Sequence, residues 1–112
     1  MNAEGRERLG HALDACDAIM QFTAGKFRDD YFADALLRSA VERQFEVIGE
    51  ALNHAAQLDE TIEAQIPELR RIVGMRNRII HGYDSVDDEL LWSVTQTNVP
   101  SLAVHLRELL DN

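Results

Sequence analysis

Three side chains suited to phosphate chemistry, Arg76, Asn77 and His81, lie in the segment RNRIIHGY, residues 76–83. Arg76 can bind phosphate oxygens through its guanidinium, and His81 can transfer a proton near neutral pH. Asn77 lies four residues before His81, so the two share a helical face. Its amide can orient either Arg76 or His81. Tyr83 adds a phenol two residues after the imidazole. These residue types predict a site that holds a phosphodiester.

Arg76 is in register with the apolar stripe of its predicted helix. A guanidinium keeps its charge and is expensive to bury alone, so Arg76 must meet a carboxylate or face a cleft. An ion pair with Glu46 or Glu50 of the preceding helix is therefore a structural alternative. His81 lies five residues on, about 140° round the helix. The two side chains diverge unless the helix ends between them and Arg76 reaches round.

The charge of the chain is unevenly spread. Its 112 residues carry a net charge of −9, which disfavours a protein that coats nucleic acid. Residues 69–83 nevertheless hold four arginines and no acid, and these are Arg70, Arg71, Arg76 and Arg78. We therefore expect a local anion site, or a docking face for a partner, on an otherwise acidic body.

The length and composition predict one domain spanning residues 1–112, and the lack of a recognisable targeting signal predicts a cytoplasmic protein. No window reaches the ~18 apolar residues of a membrane span, and the N-terminus has no signal pattern. Cys16 is the single cysteine and lies on an apolar stripe, so we expect a small buried hydrophobe in a reducing compartment. The histidines have no metal-ligand spacing, and we expect neither a metal nor a cofactor. They are His11, His54, His81 and His105.

Helical periodicity predicts an all-α, up-and-down four-helix bundle with antiparallel neighbours. Gly74, inside the third helix, predicts tight packing in the bundle or close approach across a dimer interface. Pro100 should kink or divide the last helix. The predicted elements are a helix from about residue 4 to Ala24 stopped by Gly25, a helix over about 30–57 capped by Asp29 or Asp30, a short turn over 61–66, a helix from Pro67 to Gly82, and a helix capped by Ser85 or Asp87.

Two runs of sequence carry a family resemblance. The first is R-N-x-x-x-H-x-Y over residues 76–83, and the second is R-x-x-E-x-I-G-E-A over residues 43–51. Together they resemble the HEPN-domain ribonucleases, and more narrowly the HepT-like toxins of the HepT/MntA type, which pair with minimal nucleotidyltransferase antitoxins. The resemblance covers essentially the whole chain. The two runs at this distance are more specific than the R-x-x-x-x-H element alone.

The resemblance implies a HEPN-like bundle that acts as a homodimer and cleaves RNA without a metal. In this family the two motifs face each other across a cleft. His81 would be the general base or acid at the ribose 2′-OH or the leaving oxygen, Arg76 would neutralise the phosphoryl group, and Asn77 would position the pair. The products would be a 2′,3′-cyclic phosphate and a 5′-OH. Supporting or substrate-binding roles would fall to Arg78, Glu46 and Glu50.

The resemblance also implies partners. Tyr83 corresponds to the tyrosine that the nucleotidyltransferase antitoxin adenylylates, and the added AMP would repel RNA from a cationic cleft. The expected partners are a second copy of the chain, the antitoxin, and an mRNA or tRNA substrate. Two alternatives stay open. One is a non-catalytic module that docks a nucleotidyltransferase and binds nucleotide or RNA. The other is a structural dimer in which Arg76 pairs with Glu46 or Glu50.

Overall fold

Residues 1–82 and 86–111 are described by the computed structural model, and over these ranges the chain forms seven helices and no strand. The predicted all-α class is confirmed. None of the helices in these ranges has the length and apolar character that crossing a bilayer requires. The helices are α1 (Ala3–Thr23), α2 (Arg28–Ala33), α3 (Ala35–Leu58), α4 (Ile62–Gln65), α5 (Leu69–His81), α6 (Asp88–Gln96) and α7 (Asn98–Asp111).

The first helix has the predicted extent. Asn2 caps α1, because its side chain accepts a hydrogen bond from the Gly5 N–H at 2.7 Å. Gly25 follows with a φ of +73°, a conformation that glycine adopts without strain. Cys16 is fully buried on the apolar face of α1, as predicted. Burial raises the pKa of its thiol to about 12, so this sulfur stays protonated at neutral pH.

The predicted second helix is divided, and the single run over about 30–57 is wrong at its start. Asp34 separates α2 from α3 in an extended conformation, with φ −117° and ψ 97°. Its carboxylate accepts a hydrogen bond from the Leu37 N–H at 3.1 Å, so Asp34 is the N-cap of the long helix. Asp29 and Asp30 lie instead in the first turn of α2, where Asp30 accepts from the Phe27 N–H at 2.7 Å.

The third predicted helix begins later than expected. Pro67 was predicted in its first turn, but α5 begins at Leu69, so the proline precedes the helix. Ile66 is extended, with φ −125° and ψ 92°, as is usual for a residue before proline. The predicted turn over 61–66 is confirmed as α4. Gly82 ends α5 as predicted, and its N–H donates to the Arg78 carbonyl at 2.8 Å.

The fourth predicted helix is divided into α6 and α7. Asp87 caps α6 by accepting from the Leu90 N–H at 3.1 Å, while the other predicted cap, Ser85, lies outside the described residues. The division falls at Thr97, ahead of Pro100. The proline therefore lies in the first turn of α7, where its missing N–H leaves few helical hydrogen bonds unmade.

The long helices pack around one apolar core. Arg107 of α7 donates to Asp17 of α1 at 2.7 Å, and Arg6 near the start of α1 reaches the Leu110 carbonyl at the end of α7. α1 also packs along α3, and α3 supports α5. The largest side chains sealed in this core include Leu9, Ile19, Phe45, Ile48, Leu52, Ile72, Leu102 and Leu106. α3 is therefore the element that positions α5.

A buried carboxylate fixes the start of α5. Glu68, the residue that precedes this helix, is only 6% exposed. Its carboxylate oxygens lie 2.8 Å from Nδ1 of His105 and accept a hydrogen bond from Ser101 at 3.4 Å. A carboxylate is buried at acceptable free energy only when it has such partners. The contact therefore ties the beginning of α5 to α7.

Candidate functional site

The helices α3 and α5 approach most closely where Gly49 faces Arg76. A Cβ atom added to Gly49 would lie 2.7 Å from Cγ of Arg76 and closer still to its Cβ. These separations are well inside van der Waals contact, so a residue larger than glycine at position 49 would force the helices apart. The aliphatic stem of Arg76 thus passes directly over the backbone of α3.

The guanidinium of Arg76 has an amide partner and, among the described residues, no carboxylate partner. Its Nη1 donates to Oδ1 of Asn77 at 3.0 Å, and its Nε is buried without a hydrogen-bond partner in the described part of the chain. The predicted alternative, an ion pair with Glu46 or Glu50, is not formed within one copy. Glu46 pairs with Arg43 at 3.2 Å, and Glu50 is exposed. An unpaired buried donor is rare and calls for an explanation.

His81 lies in the last turn of α5 with its imidazole exposed. The helix continues through this residue, so it does not end between Arg76 and His81. Asn77 and His81 instead line one groove, together with Arg78 and Gly82. Asn77 is the link between the predicted residues, since it contacts the guanidinium of Arg76 and shares the groove with the imidazole.

Tyr83, the predicted AMP acceptor, lies outside the described residues. It follows Gly82 directly in the sequence, and Gly82 is a residue of the groove. Among the described residues, no group of three or more His, Cys, Asp or Glu side chains is placed to hold a metal ion.

The helix α5 carries an excess of positive charge. This helix carries four arginines and no acid. Elsewhere in the described ranges, arginines commonly pair with carboxylates over 2.6–3.8 Å, as in Arg28–Glu89, Arg38–Asp88, Arg43–Glu46 and Arg107–Asp17. On α5 only Arg70 does so among described residues, with Glu63. The groove therefore lies on the cationic helix of an acidic chain.

Gly49 has a role that the sequence did not reveal. It belongs to the 43–51 run, but tight packing was predicted for Gly74. That prediction is wrong within the described part of one chain, because no atom of a neighbouring helix lies within 4 Å of a Cβ added to Gly74. The available signal for Gly49 was its place inside a long helix, where glycine is about 1 kcal/mol less favourable than alanine.

The fold and the groove define an all-α protein with an arginine, an asparagine and a histidine near one helix end. The family model described as "Ribonuclease HepT-like" matches residues 12–109. This chain belongs to the HepT-like ribonuclease family, and the predicted resemblance is confirmed.

Individual relatives agree with this family. The protein named "Putative RNase TTE0752" from Caldanaerobacter subterraneus subsp. tengcongensis is 29% identical over 105 residues, covering 94% of this chain and 93% of that protein. "Probable ribonuclease HepT" from Thermococcus cleftensis is 30% identical over 102 residues, covering 91% and 92%. "Gamma-glutamylcyclotransferase and putative RNase MJ0434" from Methanocaldococcus jannaschii is 30% identical over 103 residues, covering 92% of this chain but 46% of that protein. No solved structure gives a significant match.

Proposed function

We propose that this chain is a metal-independent endoribonuclease that acts as a homodimer, with Arg76, Asn77 and His81 as its catalytic residues. One observation carries the proposal. The aliphatic stem of Arg76 lies over Gly49, and its guanidinium donates to Asn77 and has no carboxylate partner in the described part of the chain. Asn77 in turn lines an open groove together with His81. A groove lined by a cation and an amide suits a phosphodiester. Because the family is described as a ribonuclease family, we propose that this phosphodiester belongs to RNA.

Two copies are needed because one copy separates the reacting groups. Arg76 points toward α3, whereas His81 is exposed about 140° further round the same helix. A second copy facing the groove supplies an imidazole opposite the first and a second guanidinium. Glu46 and Glu50 of α3 and Arg78 of α5 are proposed to support this site or to bind substrate.

The proposed reaction is an internal transfer of the phosphoryl group. The ribose 2′-oxygen attacks the adjacent phosphorus while the bond from phosphorus to the 5′-oxygen breaks. His81 of one copy takes the 2′-OH proton, and the second copy's imidazole gives a proton to the departing 5′-oxygen. Arg76 neutralises the non-bridging oxygens as charge builds on them, and Asn77 holds the guanidinium in place. The products are a 2′,3′-cyclic phosphate and a 5′-OH.

The native chain should cleave single-stranded RNA in the presence of EDTA, and the ends of the fragments should identify the mechanism. New 5′ ends should accept a phosphate from polynucleotide kinase without prior phosphatase treatment, because they carry a free hydroxyl. RNA methylated at every 2′-oxygen is the matched control and should resist cleavage, since its nucleophile is blocked. Fragments with 5′-phosphates would contradict the mechanism. Binding of RNA without any cleavage would favour the non-catalytic module.

We also propose that the chain is the toxin of a type VII-like toxin–antitoxin pair. Its nucleotidyltransferase antitoxin would join Oη of Tyr83 to the α-phosphorus of ATP and release pyrophosphate. The support is the family match together with the place of Tyr83 in the chain, directly after the groove residue Gly82. Each AMP adds negative charge and bulk beside a cationic groove, which opposes RNA binding.

Co-expression with a minimal nucleotidyltransferase encoded beside this chain should add AMP to Tyr83. Intact-protein mass spectrometry should show one or more AMP increments, and peptide mapping should place them on this tyrosine. The Tyr83→Phe variant is the matched control, since it keeps the ring but lacks the acceptor oxygen, and it should stay unmodified. AMP found on another residue would refute this assignment and leave the nuclease proposal intact.

A further inference from the structure

The exposed face of α5 continues beyond the groove as an open strip with an arginine at each end. Arg71 and Arg78 are exposed and seven residues apart, which places them two turns, or about 10 Å, from each other along the helix axis. Gly74 lies between them, and no described atom beyond its chain neighbours and its own helix backbone occurs within 4 Å of a Cβ added there. A ligand can therefore approach the helix backbone between the two guanidiniums.

Arg71 and Arg78 have no carboxylate partner among the described residues, although the chain has 20 acidic residues to 11 basic ones. Their neighbour Arg70 does pair, with Glu63. In a chain so rich in acids, exposed guanidiniums without a carboxylate partner among the described residues are available to an external anion. Arginine suits phosphate in particular, because its fork of N–H donors can bind two oxygens at once.

The strip is continuous with the groove of the proposed active site. Arg78 lines that groove with Asn77 and His81, and it also lines a second depression with Arg71 and Gly74. The other residues of this second depression are Arg70, Met75 and Leu90. A bound strand can therefore run from the imidazole past Arg78 to Arg71 without leaving the surface of α5.

We propose that Arg71, Gly74 and Arg78 form a phosphate track that binds single-stranded RNA on one side of the bond to be cut. The inference rests on the proposed function, because it places the reacting phosphate at His81. A single strand fits since in-line attack by the 2′-oxygen requires the backbone to leave the A-form geometry of a duplex. Among the described residues, neither depression is lined by Phe, Tyr or Trp, on which bases could stack. The track therefore binds the phosphates of the strand and does not recognise its bases.

Fluorescence anisotropy with a labelled oligouridine, 2′-O-methylated throughout so that it is not cut, tests the track. Arg71→Ala and Arg78→Ala should each weaken binding about three- to tenfold. Each should also reduce the slope of log K against log salt concentration by about 0.7, the contribution of one phosphate contact on a single strand. Both positions are exposed on a helix and alanine favours helices, so circular dichroism should show native folding.

Lys26→Ala is the matched control, because it removes one exposed positive charge from the loop between α1 and α2. Its affinity and salt slope should equal those of the native chain. The track is refuted if Arg71→Ala keeps native affinity and slope, or if Lys26→Ala weakens binding equally. A native chain that binds through Arg71 but never cuts RNA would defeat the proposed function and leave the track standing. Cleavage of RNA by a chain in which Arg71 contributes nothing to binding would refute the track and leave the proposed function standing.

Discussion

Replacing His81 with alanine should slow RNA cleavage by about a thousandfold or more, because proton transfer to and from the reacting oxygens is lost in both copies. The fold should survive. The imidazole is exposed in the last turn of α5, where its removal opens no cavity, and alanine favours the helix. Single-turnover cleavage of an end-labelled RNA measures the rate, and thermal melting followed by circular dichroism measures stability.

His11→Ala is the matched control for this experiment. His11 is an exposed helical histidine on α1, and its imidazole lies 3.9 Å from the exposed carboxylate of Glu7. The control should cleave at the native rate. A His81→Ala variant that folds and cuts RNA within about tenfold of the native rate would remove His81 from the mechanism, since general acid–base catalysis contributes more than this.

Replacing Gly49 with alanine should damage both stability and cleavage. The new Cβ would overlap the stem of Arg76, so α5 must move away from α3 or the arginine must leave its position. Overpacking of this kind typically lowers the free energy of unfolding by about 1–3 kcal/mol. A displacement of about 1 Å at Arg76 would also slow cleavage about a hundredfold. Chemical denaturation and single-turnover kinetics measure the two effects.

Gly10→Ala is the matched control for Gly49→Ala. Gly10 lies inside α1, and no atom of another described helix occurs within 4 Å of a Cβ added there. Its replacement should stabilise the chain by up to about 1 kcal/mol and leave cleavage unchanged. The cause of the Gly49 defect can be tested by adding Arg76→Gly, which removes the overlapping stem. The double variant should then be less destabilised than the sum of the single variants, and strict additivity would show that the clash lies elsewhere.

Helix periodicity predicted where most of the helical segments lie along the chain, because burying an apolar stripe constrains every turn. The break at Asp34 could not be read in the same way. Asp29, Asp30 and Asp34 are all suitable N-caps, so local preference does not choose between them. The break at Asp34 goes together with the packing of Tyr31 in α2. This residue is fully buried, and its ring lies 5.5 Å from that of Trp92 on α6. This long-range contact has no local signal.

The proposed site was predictable in its residue types but not in its support. Arg76 was expected to face a cleft or a carboxylate because of its place on the apolar stripe, and that argument needs one helix only. Predicting the role of Gly49 requires knowledge of two helices, since its importance depends on which residue of α5 lies opposite. In sequence, Gly49 and Gly74 are equivalent interruptions of helical segments. Only tertiary packing distinguishes the one beneath Arg76 from the one that faces open space.

The protonated, fully buried thiol of Cys16 has a practical consequence for testing whether the chain works as a pair. Maleimides and methanethiosulfonates react with thiolates at the surface, so we expect the native chain to react very slowly with them. A cysteine introduced at an exposed position, such as Ser93→Cys on α6, would therefore carry a spin label by itself. Pulsed electron resonance could then measure the separation of two labels directly, with no need to remove the natural sulfur from the core.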